Sequence, residues 1–240
     1  MTERTLARVD ELLSRFVEAS SSEEIYQTAF QVHHSWKDEY YWPVITALNA
    51  PEESKRWEAA HMLGSHRGSL TTRYLIPVLR NREESERVRG QAAESLGYLR
   101  KRKAIPALVE ASQDESSEVR FWSVFALGNY VRGVTTPTPV VQALEERLED
   151  TGIPNQRGLV WPIGWEALAM LVDCRTSRLP VRTMFRDFMM ETLLDPQAYK
   201  DRWDWASCYF HHLGPGTREA CEISKSKGFD PETFGTILPS

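Results

Sequence analysis

The apolar positions of this chain recur at helical spacing from its first residues onward. Leu6, Val9, Leu12, Leu13, Phe16 and Val17 fall three and four apart within residues 2–19, which places them on one side of a helix. Ser21 and Glu24 have the spacing of a capping box, opening a second helix that carries Ile25, Ala29, Phe30 and Val32. Three later segments then overlay: Lys55-Arg56-Trp57-Glu58-Ala59-Ala60-His61-Met62-Leu63-Gly64, Val88-Arg89-Gly90-Gln91-Ala92-Ala93-Glu94-Ser95-Leu96-Gly97 and Val119-Arg120-Phe121-Trp122-Ser123-Val124-Phe125-Ala126-Leu127-Gly128. Arg stands second in each, small or β-branched residues fifth and sixth, and Leu-Gly last. The Leu positions are 33 and 31 residues apart, a period that predicts stacked helical pairs.

Each overlaid segment is the second helix of a predicted pair. The first helix carries a Pro near its start and an apolar run behind it: Pro43 to Leu48, Pro77 to Leu79 and Pro106 to Val109. Pro is tolerated in a first turn, where its missing N–H has no intrahelical partner. Polar stretches Asn49 to Ser54, Asn81 to Glu86 and Gln113 to Glu118 are the turns within the pairs. The closing Gly suits a left-handed C-cap or a close helix contact.

A fourth, less regular pair is predicted from Pro139 to Leu148 and from Trp165 to Val172, joined by a loop holding Gly152, Pro154, Asn155 and Gly158. Beyond Pro180 the period fades into helices predicted at Val181 to Leu194, Tyr199 to Leu213 and Thr217 to Lys227, followed by an irregular tail from Phe229 to Ser240. No segment shows the two-residue alternation of a strand. The expected fold is all-α: an α-α superhelix, a right-handed solenoid of helical hairpins in a single domain over 1–240, with an N-terminal helical cap (1–36), repeats (40–174) and a C-terminal helical cap (180–228).

Composition narrows the function classes. The net charge of −5 lacks the basic excess that phosphate binding favours, which argues against a nucleic-acid partner without excluding a local basic patch. Cys174, Cys208 and Cys221 are an odd, scattered set that suits a reducing cytosol rather than a disulfide framework. The first twenty residues form a charged amphipathic pattern with no apolar signal-peptide core, and no apolar run approaches membrane-spanning length. A cytoplasmic protein without membrane association is expected. Eight Trp are unusual and suit both helix junctions and binding hot spots.

The overlaid segments resemble HEAT repeats of the short bacterial, lyase-like variety, through Pro in the first helix, an acidic turn, Val-Arg, a small pair and Leu-Gly. The match is strong over residues 40–133 and weak over 138–174: Lys55 replaces the Val, Ser123-Val124 replace the small pair, and the fourth copy lacks both Arg and Gly. The resemblance implies that Arg56, Arg89 and Arg120 are structural, bonding acidic turn residues such as Asp114. It also implies a non-catalytic scaffold that binds a protein or peptide through a concave face lined by second helices, with no cofactor.

Helical spacing then picks out that face: Glu58 and His61 in the first copy, Gln91, Glu94 and Tyr98 in the second, Trp122, Phe125 and Asn129 in the third, and Glu166 in the fourth, with Ser65 and Asp173 at equivalent positions. The expected groove is aromatic and acidic, centred on Tyr98, Trp122 and Phe125, although Trp122 and Phe125 are equally suited to pack against the fourth repeat. Trp161-Pro162-Ile163-Gly164-Trp165 reads as a helix start whose rings fill a junction in preference to a ligand clamp. Asp204, Cys208 and His211 share a helix face with zinc-ligand chemistry, but no second cluster completes a site, and the adjacent His33-His34 point apart on a helix.

Three enzyme classes are built on similar repeats. Deoxyhypusine hydroxylases use His-Glu pairs for iron, and this chain has no His-Glu dipeptide. Helical-repeat alkylpurine DNA glycosylases combine Trp with a carboxylate, which Trp203-Asp204-Trp205 resembles superficially; this is the main alternative function. A bilin-lyase or chaperone-like protein is the second alternative. No phosphate-binding Gly loop or nucleophile elbow is present, and no catalytic or metal-ligating set is assigned.

Overall fold

A computed structural model describes residues 3–66, 68, 70–155, 161–209 and 218–229. These residues fold as helices joined by turns, and no strand occurs among them. They gather into two compact units, Met1–Asn129 and Tyr130–Ser240.

The first unit holds α1 (Glu3–Glu18), α2 (Ser22–His34), α3 (Tyr41–Ala47), α4 (Glu53–Ser65), α5 (Thr71–Arg80), α6 (Glu86–Leu99), α7 (Ile105–Ala111) and α8 (Ser117–Gly128). Serines start three of them: Ser21 accepts from the Glu24 N–H (3.3 Å), Ser85 from that of Val88 (3.3 Å) and Ser116 from that of Val119 (3.4 Å). Such side chains satisfy donors that a helix start leaves without a partner. The hairpins α3–α4, α5–α6 and α7–α8 stack so that α4, α6 and α8 lie side by side, with α2 continuing the row on the α4 side.

The middle helix of that row has little amphipathic character because it has almost no free side. Every residue from Val88 to Gly97 is buried. The closing Gly of the repeat is what lets the helices come this close. A Cβ on Gly64 would stand 2.5 Å from the Ser95 Cβ, and one on Gly97 would stand 2.7 Å from the Ala126 Cα. Neither Gly is a left-handed cap; both lie inside helices, and Arg100 takes the left-handed cap position of α6 (φ 50°, ψ 34°).

The first helices depart from the sequence expectation at α5. Pro77 lies well inside the helix, because Thr71, Thr72 and Leu75 ahead of it are buried and packing holds the preceding turn. Pro106, by contrast, occupies the first turn of α7.

The second unit holds α9 (Thr138–Glu145), α10 (Ile163–Leu171), α11 (Val181–Leu194), α12 (Trp203–Tyr209) and α13 (Arg218–Ser226). α10 packs on α9 and α11, and α11 also packs on α12 and α13. The helix expected from Tyr199 begins as a 3-10 turn, Lys200–Arg202, and becomes α-helical at Trp203. Leu193, Trp203 and Ala220 form a small core there.

Replacing Gly97 by Ala adds about 1 kcal/mol of helix propensity but drives a methyl into the α8 backbone. Gly97→Ala is expected to destabilise the first unit by about 1–2 kcal/mol net, read as a lower urea midpoint at unchanged slope.

Candidate binding face

Arginines and turns set the positions of the second helices. Arg56 on α4 donates to the carbonyls of Ala50 (2.9 Å) and Pro51 (2.8 Å) in its own turn. Its other nitrogens grip Glu84 in the next repeat's turn, Nε to Oε2 at 2.7 Å and Nη2 to Oε1 at 2.9 Å. Arg89 on α6 donates to the Leu79 carbonyl (3.1 Å) and with both terminal nitrogens to Asp114, again in the following turn. Arg120 on α8 repeats the turn contacts of Arg56, bonding the carbonyls of Asp114 and Glu115 at 2.9 Å each. Asp114 also caps its own turn by accepting from the Ser116 N–H (3.0 Å). Burial pushes the Asp114 carboxyl up, but Arg89 and the Ser116 amide outweigh it and hold it below the usual carboxylate range.

The residues expected to line the face divide by depth. Glu58, Gln91, Glu94 and Trp122 are buried. Gln91 Nε2 donates to Glu94 Oε2 (2.8 Å) and Ser95 Oγ (3.2 Å), and Ser95 donates across to the Ala60 carbonyl of α4 (2.9 Å). Trp122 donates its indole N–H to Glu118 (2.6 Å) and packs over Gly90. The acidic character expected of an open groove is therefore turned into the helix row.

What reaches the surface is narrower. Tyr98 is 40% exposed; its hydroxyl donates to Glu94 Oε1 (3.2 Å), and its ring meets Phe125 edge-on at 6.1 Å. Phe125 is half-buried and also stands edge-on to Trp122 at 5.7 Å. Asn129 is half-buried, accepts from Arg100 Nη2 (3.2 Å), and donates to the Phe125 carbonyl (3.4 Å). His61 lies half-exposed on α4, 3.9 Å from Glu58, and Ser65 is exposed one turn on.

Glu166 belongs to the second unit, on α10, and is enclosed rather than displayed. Its carboxylate accepts from Trp161 Nε1 (3.0 Å) and from the Tyr209 hydroxyl (2.6 Å). Burial raises its pKa to about 7, although both hydrogen bonds favour the ionised form. The same burial, and the neighbouring carboxylate, push the Tyr209 phenol well above its ordinary value. Tyr209 is 43 residues from Glu166, and no spacing in the chain links the two. Trp161 is buried, and the half-buried Trp165 meets Phe188 and Trp205 edge-on at 5.4 and 6.1 Å, so these rings pack against one another within the unit.

Trp203 and Trp205 are both buried in the second unit. The Asp204 side chain, His211 and His212 lie outside the described residues, as does Gly158. Asp173 is exposed, and Cys208 is half-buried. Among the described residues no group of three His, Cys, Asp or Glu is placed to hold a metal ion, and no helix is long and apolar enough to cross a membrane.

The stacked hairpins, the Arg-to-turn bonds and the Leu-Gly contact coincide with a sequence-family match over residues 72–157, from α5 into the second unit. Residues 72–157 match the family model of HEAT repeats. The first overlaid copy, Lys55 to Gly64, precedes the matched HEAT segment. Deoxyhypusine hydroxylase of Candida albicans (strain SC5314 / ATCC MYA-2876) is 28% identical over 107 residues, which take in 45% of this chain and 34% of the relative. The chain thus spans about a third of that relative's length. Among solved structures, the complex of CpcE and CpcF of phycocyanin lyase from Nostoc sp. PCC7120 superposes with a TM-score of 0.49 at 20% identity, over 75% of this chain and 80% of that one. Human deoxyhypusine hydroxylase in complex with glycerol gives 0.46 at 15% identity, over 92% and 95%.

Two outcomes test the Arg-to-turn bonds of the first unit and the buried carboxylate of the second. Arg89→Ala strands the buried Asp114 carboxylate and is expected to cost about 3 kcal/mol in urea unfolding at pH 7. Arg56→Ala, at a more exposed pair, is expected to cost about 1 kcal/mol. The second concerns Glu166, whose folded pKa lies above its unfolded value. It favours folding most below the ordinary carboxylate pKa, and that contribution is lost as pH rises through about 7. The second unit should lose up to about 3 kcal/mol between pH 4.5 and 8 from this group. Glu166→Gln, which still accepts from Trp161 and donates to Tyr209, should flatten that part of the profile in thermal melts.

Proposed function

We propose that this chain is a non-catalytic HEAT-repeat scaffold that binds a protein or peptide through the second-helix face of its first unit. The observation that carries this reading is the Tyr98–Phe125 pair. Two aromatic rings stand edge-on at 6.1 Å across α6 and α8, with Tyr98 40% exposed, on helices that otherwise bury nearly everything apolar. Tyr is suited to such a role, since its ring offers apolar area at little conformational cost and its hydroxyl is held here by Glu94. Next to Phe125, Asn129 supplies a polar group for a passing backbone, and His61 and Ser65 offer others along the row on α4. The fitting partner is an apolar-anchored helix or an extended segment.

Affinity capture with the intact chain, followed by mass spectrometry and titration of the captured protein, tests this. Tyr98→Ala combined with Phe125→Ala is expected to weaken binding at least tenfold, on the order of 1.4 kcal/mol or more, with helicity retained. Glu110→Ala, on the first-helix side at an exposed Arg80 pair, should leave binding unchanged. Equal binding by the double variant and the parent would remove the face assignment.

A further inference from the structure

Three histidines from two helices of the first unit meet where the N-terminal hairpin adjoins the first repeat. His33 lies in the last turn of α2, His61 within α4, and His66 caps α4 at its C-terminus. His66 Nε2 and His33 Nδ1 are 3.1 Å apart, so one ring donates a proton and the other accepts it. His33 and His61 stack with centroids 5.5 Å apart and planes 11° from parallel. Trp36, just past α2, lies flat on His66 at 4.0 Å with the planes 3° apart. Trp57 flanks His61 at 5.5 Å. The rings hold α2 against α4, and neutral imidazoles are what this arrangement accommodates.

We propose that His33, His61 and His66 form an acid-sensitive clasp that releases the α1–α2 hairpin from α4 when the imidazoles take up protons. The proton balance follows from the hydrogen bond. In the neutral pair one nitrogen donates and the other accepts. A first proton can settle on the far nitrogen of the donating ring and leave the bond intact. A second must occupy the accepting nitrogen itself, which sets two N–H groups facing each other and breaks the bond. His61, stacked on His33, lies against the charge gained there.

The surrounding charges compensate only in part, since Glu58 raises the His33 pKa but burial and the other histidines outweigh it. From α2, His34 stands 5.3 Å from His33, ring to ring, and adds a further potential positive charge. From α4, Glu58 is 3.9 Å from His61 and supplies negative charge. From α6, Arg87 stacks over Trp57 at 5.3 Å, with its charge paired to Glu53 of α4 at 4.0 Å. Burial, then His33 and His61, lowers the His66 pKa to about 4; burial, then His61 and His34, lowers that of His33. A histidine with a depressed folded pKa contributes stability that is complete above its ordinary value near 6.5. That stability is lost as pH falls from there toward about 4. For partly exposed rings the expected effect is a roughly tenfold larger opening constant at pH 5 than at pH 7.5.

Native-state hydrogen exchange at pH 7.5 and 5, corrected for intrinsic rates, reads this directly. Opening of α2 and the end of α4 should increase about tenfold relative to α8 in acid. His66→Phe keeps the ring on Trp36 and removes the charge, and should lose most of that difference. Independently of any variant, the Cε1–H resonances of His33 and His66 in the intact chain should both titrate below the ordinary 6.5. Ordinary titration of both rings, or equal acid sensitivity of α2 and α8, would overturn the proposal.

Discussion

The second helices of the first unit approach one another so closely that no side chain fits at Gly64 or Gly97. A Cβ there would sit 2.5 Å from Ser95 or 2.7 Å from the α8 backbone. Much else in the unit is a consequence of that contact. Because α6 is flanked on both sides, its polar residues cannot be left to water. Unpaired buried polar groups cost roughly 1–3 kcal/mol each, so they must be satisfied within the row. Gln91, Glu94 and Ser95 therefore bond one another, the Ala60 carbonyl and the Tyr98 hydroxyl. At the turns, the ends of the repeats are held by arginine, whose planar fork bonds carbonyls and a carboxylate at once.

Departures from the repeat pattern have local physical causes. Lys55 stands where the other copies have Val, and it is buried all the same. Its ammonium donates to the Val17 carbonyl at the end of α1 (2.9 Å), because the neighbour at that end is a helix C-terminus. A cation there meets the carbonyls a helix end leaves open. Among the described residues Glu166 has no such charged partner. It holds a carboxylate among aromatic rings in the second unit with one indole and one phenol for company, and burial dominates its ionisation.

Local spacing made the helix pairs legible. Arg at a fixed place and Leu-Gly at the end are visible because each repeat makes the same contact with the next, so the residue recurs even though its partner lies a repeat away. Pro77 was misleading because a Pro marks a helix start only if nothing ahead of it is held by packing, and Thr71, Thr72 and Leu75 are buried. Helical spacing also selected the residues facing along the row but not their depth. Tyr98 and Trp122 appear alike in the sequence, yet one is 40% exposed and the other 7%.

The sequence by itself determined that the chain is helical, where its hairpins turn, and which columns vary between copies. These follow from periodicity and capping, which act over a few residues. Only the tertiary structure decided which of the varying residues face outward, that Glu166 shares its carboxylate with Tyr209, and that His33 meets His66 across 33 residues. Those outcomes depend on how far each helix slides and rotates against its neighbour, and that is set by side-chain volume at the contact. Volume complementarity between distant segments leaves no period in the chain, so it is invisible until the helices are stacked.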